Sequence, residues 1–383
     1  MTTEGSRQGA ASAGDSSADA IVVYGATGHT GAQLCATLIR GGAKVVMVGR
    51  DRRKLDLLAR ESNGHAELFV AAIDDAVSLR AAVAKGRVVV NCAGPFARYG
   101  RAVQDAALAN GRHCLDMSGE PGFVQATLAR DAEARERGAL LVSGIGFDVV
   151  PTDALAALLA QAVGGQVTTA RVAYSRLDAG PTAGLGMTML QGLLDGGSAF
   201  VDGSLRREAL GHDRWNVRFP GASGSVSCLS VPWGDVISLP HSTGARTARA
   251  YLPKTMPPPA LGSALMRALR WALPAHLFPK LEAFIARRMV RRLPLSTNDR
   301  DGAPGGSGAR LSAVVELTGN QGTKVGWVVA GSGITIHAAA LCARATLAPG
   351  FGARGARTPS QAFGARELLE GLARYGLEWR ILS

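Results

Sequence analysis

The chain has 383 residues, 47% of them hydrophobic and 5% aromatic, with a formal net charge of +12. That length suits two domains of ~150 residues each. The few aromatics argue against a nucleic-acid partner, and no apolar run reaches the ~18 residues of a membrane span, so the chain reads as cytoplasmic.

Residues 1–19, MTTEGSRQGAASAGDSSAD, are small and polar without an apolar signal core, and read as a disordered tail. From residue 20 to about 150, short apolar runs alternate with helical stretches. The runs lie at 20–24, 44–49, 66–71, 87–92, 113–116 and 139–143. They lack polar alternation, as do strands covered on both faces. The helical stretches lie at 29–41, 51–62, 75–85, 99–110 and 121–137. This alternation predicts an α/β fold, a Rossmann-type doubly wound parallel sheet over residues 20–153.

After Pro151 the rhythm changes. A helix at 152–163 leads to an alternating strand at 167–177 and a glycine-rich stretch at 178–197. Strands are expected at 223–232, 245–252, 310–320 and 323–331, the last two as a hairpin, with a loop at 299–309. Together they predict an inserted second α+β domain over residues 154–350. The segment 351–383 reads as a capped helix and a short strand that can return to the first domain. Five cysteines, Cys35, Cys92, Cys114, Cys228 and Cys342, are scattered without a C-x-x-C pair, so neither a disulfide framework nor a metal site is expected.

The stretch YGATGHTGAQL (24–34) joins the first strand to the first helix. Glycine permits the tight turn and leaves bare amides facing a phosphate, which the positive helix end also attracts. Gly25, Ala26, Thr27, Gly28, His29, Thr30 and Gly31 are therefore candidates to bind a dinucleotide. The second strand ends VGRDRRK (48–54), where an NAD site would carry an acid. Arg50 stands there instead, a partner for a 2′-phosphate, so the expected cofactor is NADP(H). Asp51 suits a helix N-cap.

Ligands in this architecture lie beyond the carboxyl ends of the strands. Asn91, Gly94 and Pro95 of NCAGPFARYG (91–100) are expected to line the nicotinamide side. The following loops bring Asp116, Ser118 and Glu120, then Asp148 and Asp153. Each of these acids is read more simply as a cap or loop residue than as a catalyst. Tyr99 and Ser118 are candidate catalytic hydrogen-bond or proton donors, although both could pack or cap. Tyr99 is followed four residues on by Val103, so there is no Tyr-x-x-x-Lys pair. His29, His241 and His337 read as loop or core positions.

The motifs YGATGHTG (24–31), VGR (48–50), CAGPFARYG (92–100), CLDMSGE (114–120), GFDVVPTD (146–153) and TPSQAFG (358–364) resemble the saccharopine dehydrogenase-like oxidoreductases, most of all the branch with the trans-acting enoyl reductases. The resemblance implies hydride transfer from a nicotinamide nucleotide held in a Rossmann domain. One branch reduces the carbon–carbon double bond of a carrier-bound acyl thioester. The alternative is reduction of an imine formed from an amino acid and a 2-oxo acid. No second-domain residue matches the amino-acid-binding arginines of the saccharopine enzymes. A non-catalytic NADPH-binding protein is a third reading.

Residues 254–292 hold eight Lys/Arg against one Glu, with helical apolar spacing on both sides of Pro274. This stretch suits a core-packed helix pair, a lid over a lipid tail, an acyl carrier protein contact, or a peripheral contact with an anionic membrane surface.

Overall fold

The computed structural model describes residues 19–61, 66–176, 197–254 and 310–382, with the side chains of residues 61 and 176 excepted. The basic stretch at 254–292 lies outside the described residues apart from Lys254, as do the tail at 1–18, the glycine-rich stretch at 178–196 and the loop at 299–309.

The first sheet contains β1 (Ala20–Tyr24), β2 (Lys44–Gly49), β3 (Ala66–Val70), β4 (Val88–Asn91), β5 (His113–Asp116) and β6 (Leu140–Ser143). All pair in parallel, in the order β6-β5-β4-β1-β2-β3. A two-residue strand, β15 (Gly355–Ala356), extends the edge beyond β6. The β-branched runs that read as strands covered on both faces are so covered: Val22, Val89 and Leu141 enter one core cluster, and Val23, Val90 and Val142 another. The intervening helices are α1 (His29–Arg40), α2 (Arg52–Glu61), α3 (Ala76–Ala84), α4 (Phe96–Ala109), α5 (Pro121–Leu128) and α6 (Asp131–Glu136). This is the doubly wound architecture expected from the sequence.

Two differences have tertiary causes. The helix expected over 121–137 is split into α5 and α6 at Arg130. That guanidinium turns inward to bind Gln104, Asp105 and Glu133. The helix expected at 99 begins three residues earlier, at Phe96, because a carboxylate from another loop caps it there.

The second sheet is mixed and runs β10-β11-β12-β7-β13-β14-β16, with β8 pairing both β12 and β9. Its strands are β7 (Val167–Arg176), β8 (Gly197–Val201), β9 (Ser204–Glu208), β10 (Arg214–Val217), β11 (Val226–Val231), β12 (Thr247–Pro253), β13 (Arg310–Gly319), β14 (Gly322–Gly331) and β16 (Glu378–Leu382). β13 and β14 form the expected hairpin, and β7 and β12 are parallel neighbours. One face packs on α7 (Val150–Val163) and α8 (Asp235–Thr243). Strands β8 to β10 were not expected from sequence. Their short, polar-rich runs, such as SLRRE with its partly exposed pattern, lack an apolar period.

The two halves share one core. Ile21 and Leu34 of the first belong to the same buried cluster as Leu155 and Leu159 of α7, Val172 of β7 and Val315 of β13. The division near residue 153 therefore falls inside a buried helix, where a linker would be exposed. α9 (Ile334–Ala345), sequentially in the second domain, packs against α1. After β15, α10 (Pro359–Phe363) and α11 (Ala365–Ala373) lie on α7, and β16 pairs with β14. The C-terminal segment thus extends both sheets. Its last strand belongs to the second.

Candidate active site

At the carboxyl edge of the first sheet, the candidate residues lie on the loops after β1, β2, β4, β5 and β6. In the first, Gly25 has φ +81°, a left-handed conformation that favours glycine. Its N–H and that of Ala26 both donate to Val48 O, which pins the loop to β2. A Cβ on Gly31 would lie 2.3 Å from Gly25 O, so helix and turn meet at a distance only glycine permits. Gly28 is the N-cap of α1 and supplies no side-chain hydrogen bond to the helix end. Ala26 is buried, Thr27 and Thr30 are half-buried, and Gly28 and His29 are exposed. His29 meets Gln33 at 3.0 Å.

Helix α4 has the opposite arrangement at its start. Glu120 places Oε1 2.8 Å from Phe96 N and Oε2 2.7 Å from Ala97 N. Its carboxylate thus occupies the positive end of α4, a favourable position for an anion. Of these two N-termini on the edge, α1 is open to an external anion and α4 already holds an internal one.

Arg50 is exposed and follows β2 directly. Beside it Asp51 Oδ1 accepts from Lys54 N at 3.2 Å, the N-cap role expected of it. Tyr24, at the end of β1, feels both Arg50 and Asp74; burial pushes its hydroxyl up to about 12, and Arg50 opposes this. Arg50 and the glycine loop therefore sit around the ends of adjacent strands.

Asn91 ends β4 fully buried. Its Oδ1 accepts from Ala93 N at 2.9 Å, which fixes the amide's orientation. Its Nδ2 is buried with no partner among the described residues. A buried donor left unpaired costs about 1–3 kcal/mol, so an acceptor from a ligand suits it. Gly94 is exposed and Pro95 half-buried, in a cis Gly94–Pro95 peptide at the start of α4. These residues, the open α1 terminus and Arg50 fit a nicotinamide dinucleotide laid across the strand ends.

The two candidate catalytic side chains are placed differently. Ser118 is fully buried, and its Oγ accepts from Glu120 N at 3.1 Å. It shapes the turn that delivers Glu120 to α4. Tyr99 lies in the first turn of α4, half-buried, with the Arg98 guanidinium 5.1 Å from its ring centroid. The geometry gives Ser118 a structural task and, among the described residues, shows no hydrogen-bond partner that would activate Tyr99.

Asp116, at the end of β5, is buried beside Asn91 in register. Burial pushes its carboxyl up to about 7, against the Ser143 hydroxyl at 2.7 Å and the Ser118 amide at 3.0 Å. From Ser143 a buried polar chain runs through Thr127 and Gln104 to Arg130. Asp153 accepts from Ser360 N at 2.7 Å and from Ser242, and so joins α7, α8 and α10. Asp148 is exposed, and its backbone carbonyl faces the Tyr174 hydroxyl.

Sequence reasoning did not single out a second cluster above this edge. Asp235, Tyr174, Thr152 and Trp233 converge from α8, β7, α7 and the segment before α8. Gly234 comes close to Gly119 of the β5 loop and Val149 of the β6 loop, with its would-be Cβ 3.5 Å from Gly119 Cα and 3.1 Å from Val149 Cγ2. The only sequence signal was the WGD tripeptide, a tryptophan and an acid around a glycine, which has no periodic context.

Comparison with known proteins agrees with the geometry. Residues 21–142 match the family model described as the saccharopine dehydrogenase NADP binding domain. A lipid droplet localized protein of Caenorhabditis elegans is 30% identical over 207 residues, 50% of this chain and 48% of that protein. A Mycobacterium tuberculosis protein provisionally named a trans-acting enoyl reductase is 36% identical over 140 residues, 35% of this chain and 33% of that protein. The human saccharopine dehydrogenase-like oxidoreductase is 28% identical over 151 residues, 35% of each chain. These alignments span less than half of each relative. In fold, the apo saccharopine dehydrogenase (L-Glu forming) of Saccharomyces cerevisiae superposes with a TM-score of 0.61 at 14% identity, covering 95% of this chain and 100% of that one.

Proposed function

Taking the chain as saccharopine dehydrogenase-like, with its NADP-binding domain at residues 21–142, we propose that it is an NADPH-dependent oxidoreductase that reduces the carbon–carbon double bond of an enoyl thioester. One observation carries the cofactor half: α1 presents an uncapped N-terminus over the glycine loop, whereas α4 is closed by Glu120. The pyrophosphate is therefore drawn to α1, with Arg50 at the end of β2 for the 2′-phosphate. Asn91 Nδ2, the buried donor without a partner, suits a carbonyl of the cofactor or substrate.

NADPH, when bound, supplies the hydride. The chain's own residues orient the reactants and keep water out. Gly25 to Gly31 and Arg50 hold the phosphate end. Asn91, Gly94 and Pro95 lie at the reacting end, at the carboxyl end of β4. As hydride adds to the β carbon, electron density moves onto the thioester oxygen, where a buried donor stabilises the charge. The α carbon then takes a proton that derives from solvent, which completes the two-hydrogen gain.

The enoyl substrate is supported by the mycobacterial relative's name and by the lipid theme of the nematode relative. The imine reading has less support from residues: no described arginine stands out at this edge as a carboxylate clamp. Among the described residues no helix is long and apolar enough to cross a membrane. Contact with a membrane surface or an acyl carrier protein through 254–292 remains part of the proposal.

The test is to mix the purified protein with NADPH and a long-chain 2-enoyl thioester, following 340 nm absorbance and a two-hydrogen mass gain. Turnover is expected. Tight NADPH binding without turnover overturns the enoyl substrate and leaves the cofactor assignment standing.

A further inference from the structure

Asp235 lies in the first turn of α8 and is completely buried. Its Oδ1 is 2.7 Å from Thr152 Oγ1 and its Oδ2 2.7 Å from Tyr174 Oη. The two hydroxyls are also 3.0 Å from each other. Thr152 Oγ1 lies 3.0 Å from Val149 O, and Tyr174 Oη lies against Asp148 O. Five oxygen–oxygen contacts are thus made by a group whose hydroxyls carry only two protons.

The two backbone carbonyls can only accept. If Tyr174 donates to Asp148 O, nothing remains to bridge Tyr174 and Asp235 unless Asp235 itself carries a proton. With that proton Asp235 Oδ2 donates to Tyr174, Tyr174 donates to Asp148 O and Thr152 donates to Asp235 Oδ1, while Val149 O already accepts from Asp153 N. An ionised Asp235 would take both hydroxyl protons and leave the close Tyr174–Asp148 O contact with no proton between its oxygens. The neighbouring acids behave differently. Asp153 receives the Ser360 N–H and Asp116 the Ser118 N–H, but among the described residues no N–H reaches the Asp235 carboxyl.

We propose that Asp235 is a neutral carboxylic acid in the working protein and acts as a positioning residue, tying α8 and Trp233 to the turn between β6 and α7. Through Tyr174 it fixes Trp233, whose ring centroid is 6.0 Å from that of Tyr174. Trp233 Nε1 is buried without a partner among the described residues. Asp235 thereby holds in place a side chain with an unspent donor, next to Gly234, whose would-be Cβ lies 3.5 Å from Gly119 Cα of the β5 loop and 3.1 Å from Val149 Cγ2 of the β6 loop.

The electrostatic surroundings point the same way. Burial pushes the Asp235 carboxyl up to about 8, with Asp148 and Asp153 adding to the rise and the Tyr174 and Thr152 hydrogen bonds opposing it. The start of α8 favours an ionised acid, but that effect is worth at most ~2 kcal/mol and a buried unpaired carboxylate costs several. Tyr174 comes from β7, Asp148 from the turn and Asp153 from α7. α5 and β8 carry no titratable residue. On β12, Arg249 is engaged by Glu208 and Tyr251 by Asp213. On α8 itself, His241 faces its own helix at Ile237 O.

The test compares the full-length protein with Asp235→Asn and Asp235→Ala. The amide reproduces the protonated acid, donating to Tyr174 and accepting from Thr152. An acid whose folded pKa is raised stabilises fully below its unfolded value and loses that contribution as pH climbs through the folded one. The Tm of Asp235→Asn is therefore expected close to wild type at about pH 4, to gain on it steadily between about pH 4 and about pH 8, and then to hold a constant lead. Asp235→Ala is expected to melt lower at pH 5, having lost both hydrogen bonds. An Asp235→Asn protein that fails to fold, or trails wild type equally at every pH, overturns the neutral acid.

The positioning role rests on the proposed reductase activity and has its own readout. Wild type is expected to lose kcat on an alkaline limb as Asp235 ionises, and Asp235→Asn to keep kcat within about twofold at pH 7 and to flatten that limb. A limb unchanged by the substitution overturns the positioning role. If wild type itself does not turn over the thioester, the proposed reaction fails while the melting comparison still decides the protonation state.

Discussion

Gly31→Ala tests whether the glycine loop holds the cofactor. Gly31 is the third residue of α1, where alanine would otherwise favour the helix by up to ~1 kcal/mol. The added Cβ, however, falls 2.3 Å from Gly25 O and 2.9 Å from Ala26 Cα, both backbone atoms. Ordinary carbon–oxygen contact requires the gap to open by about 1 Å. Gly25 has little room to yield, because a Cβ on it would already meet Ala93 at 3.1 Å and its φ is +81°. Overpacking of this kind costs roughly 1–3 kcal/mol, so the net loss of stability is about 0–2 kcal/mol after the helix gain. Cofactor binding suffers more, since the turn that presents the open start of α1 must shift by a similar distance. We expect the Kd for NADPH, followed by fluorescence titration, to rise at least tenfold, or about 1.4 kcal/mol. Gly122→Ala in α5 is the control, because nothing lies within 4 Å of its Cβ position. It should match wild type in Kd and in urea midpoint. A Gly31→Ala protein that binds NADPH within twofold of wild type would refute the placement of the phosphates on this loop.

Arg50→Glu should weaken NADPH far more than NADH; equal losses remove the 2′-phosphate assignment. Glu120→Ala uncaps α4 and should lower stability by about 0.5–2 kcal/mol in urea denaturation, with NADPH affinity little changed. A large loss of affinity instead would mean that α4 takes part in binding the phosphates. Ser118→Ala should reduce stability without a selective effect on kcat, while a kcat loss at full stability would restore Ser118 as a catalyst. Asp116 has a raised folded pKa, so its stabilising contribution falls as pH rises from about 4 through about 7. Asp116→Asn should remove that segment of the pH–stability profile, and an unaltered profile would show that the buried acid is charged throughout.

The cofactor half of the site was legible because its constraints are local. Gly25 and Gly31 are six residues apart and touch through one carbonyl, a relation that spacing displays directly. Arg50 is placed by the end of β2, and Asp51 by the helix it caps. Asn91 was legible by position, as the last residue of a strand whose carboxyl end faces the ligand. Its unpaired Nδ2 was not, since that depends on where the Ala93 amide turns. Glu120 shows the limit. Sequence placed it at the start of α5, and it is the N-cap residue there. Its carboxylate nevertheless serves α4, which begins 24 residues earlier, and so it decides which helix end remains open.

The substrate half follows another rule. Tyr174 and Asp235 are 61 residues apart, Thr152 and Asp235 are 83 apart, and no period in the sequence relates them. What joins them is α7, which starts in the β6 loop and packs its far side on β13 and β14. Because a single buried helix serves both sheets, a shift of the second sheet must move Thr152 and the β6 loop with it. The polar cluster at this joint then has two demands: every buried hydroxyl needs a partner, and the helix must not carry an unpaired charge. A protonated Asp235 meets both, whereas an ionised one accepts from both hydroxyls but leaves a buried charge that no N–H or cation reaches among the described residues. The same reasoning explains why the acids of GFDVVPTD looked like interchangeable caps in sequence and are not. Asp148 is exposed and contributes its backbone, Asp153 is buried and receives an N–H, and Asp235, outside that motif, is buried and receives none among the described residues.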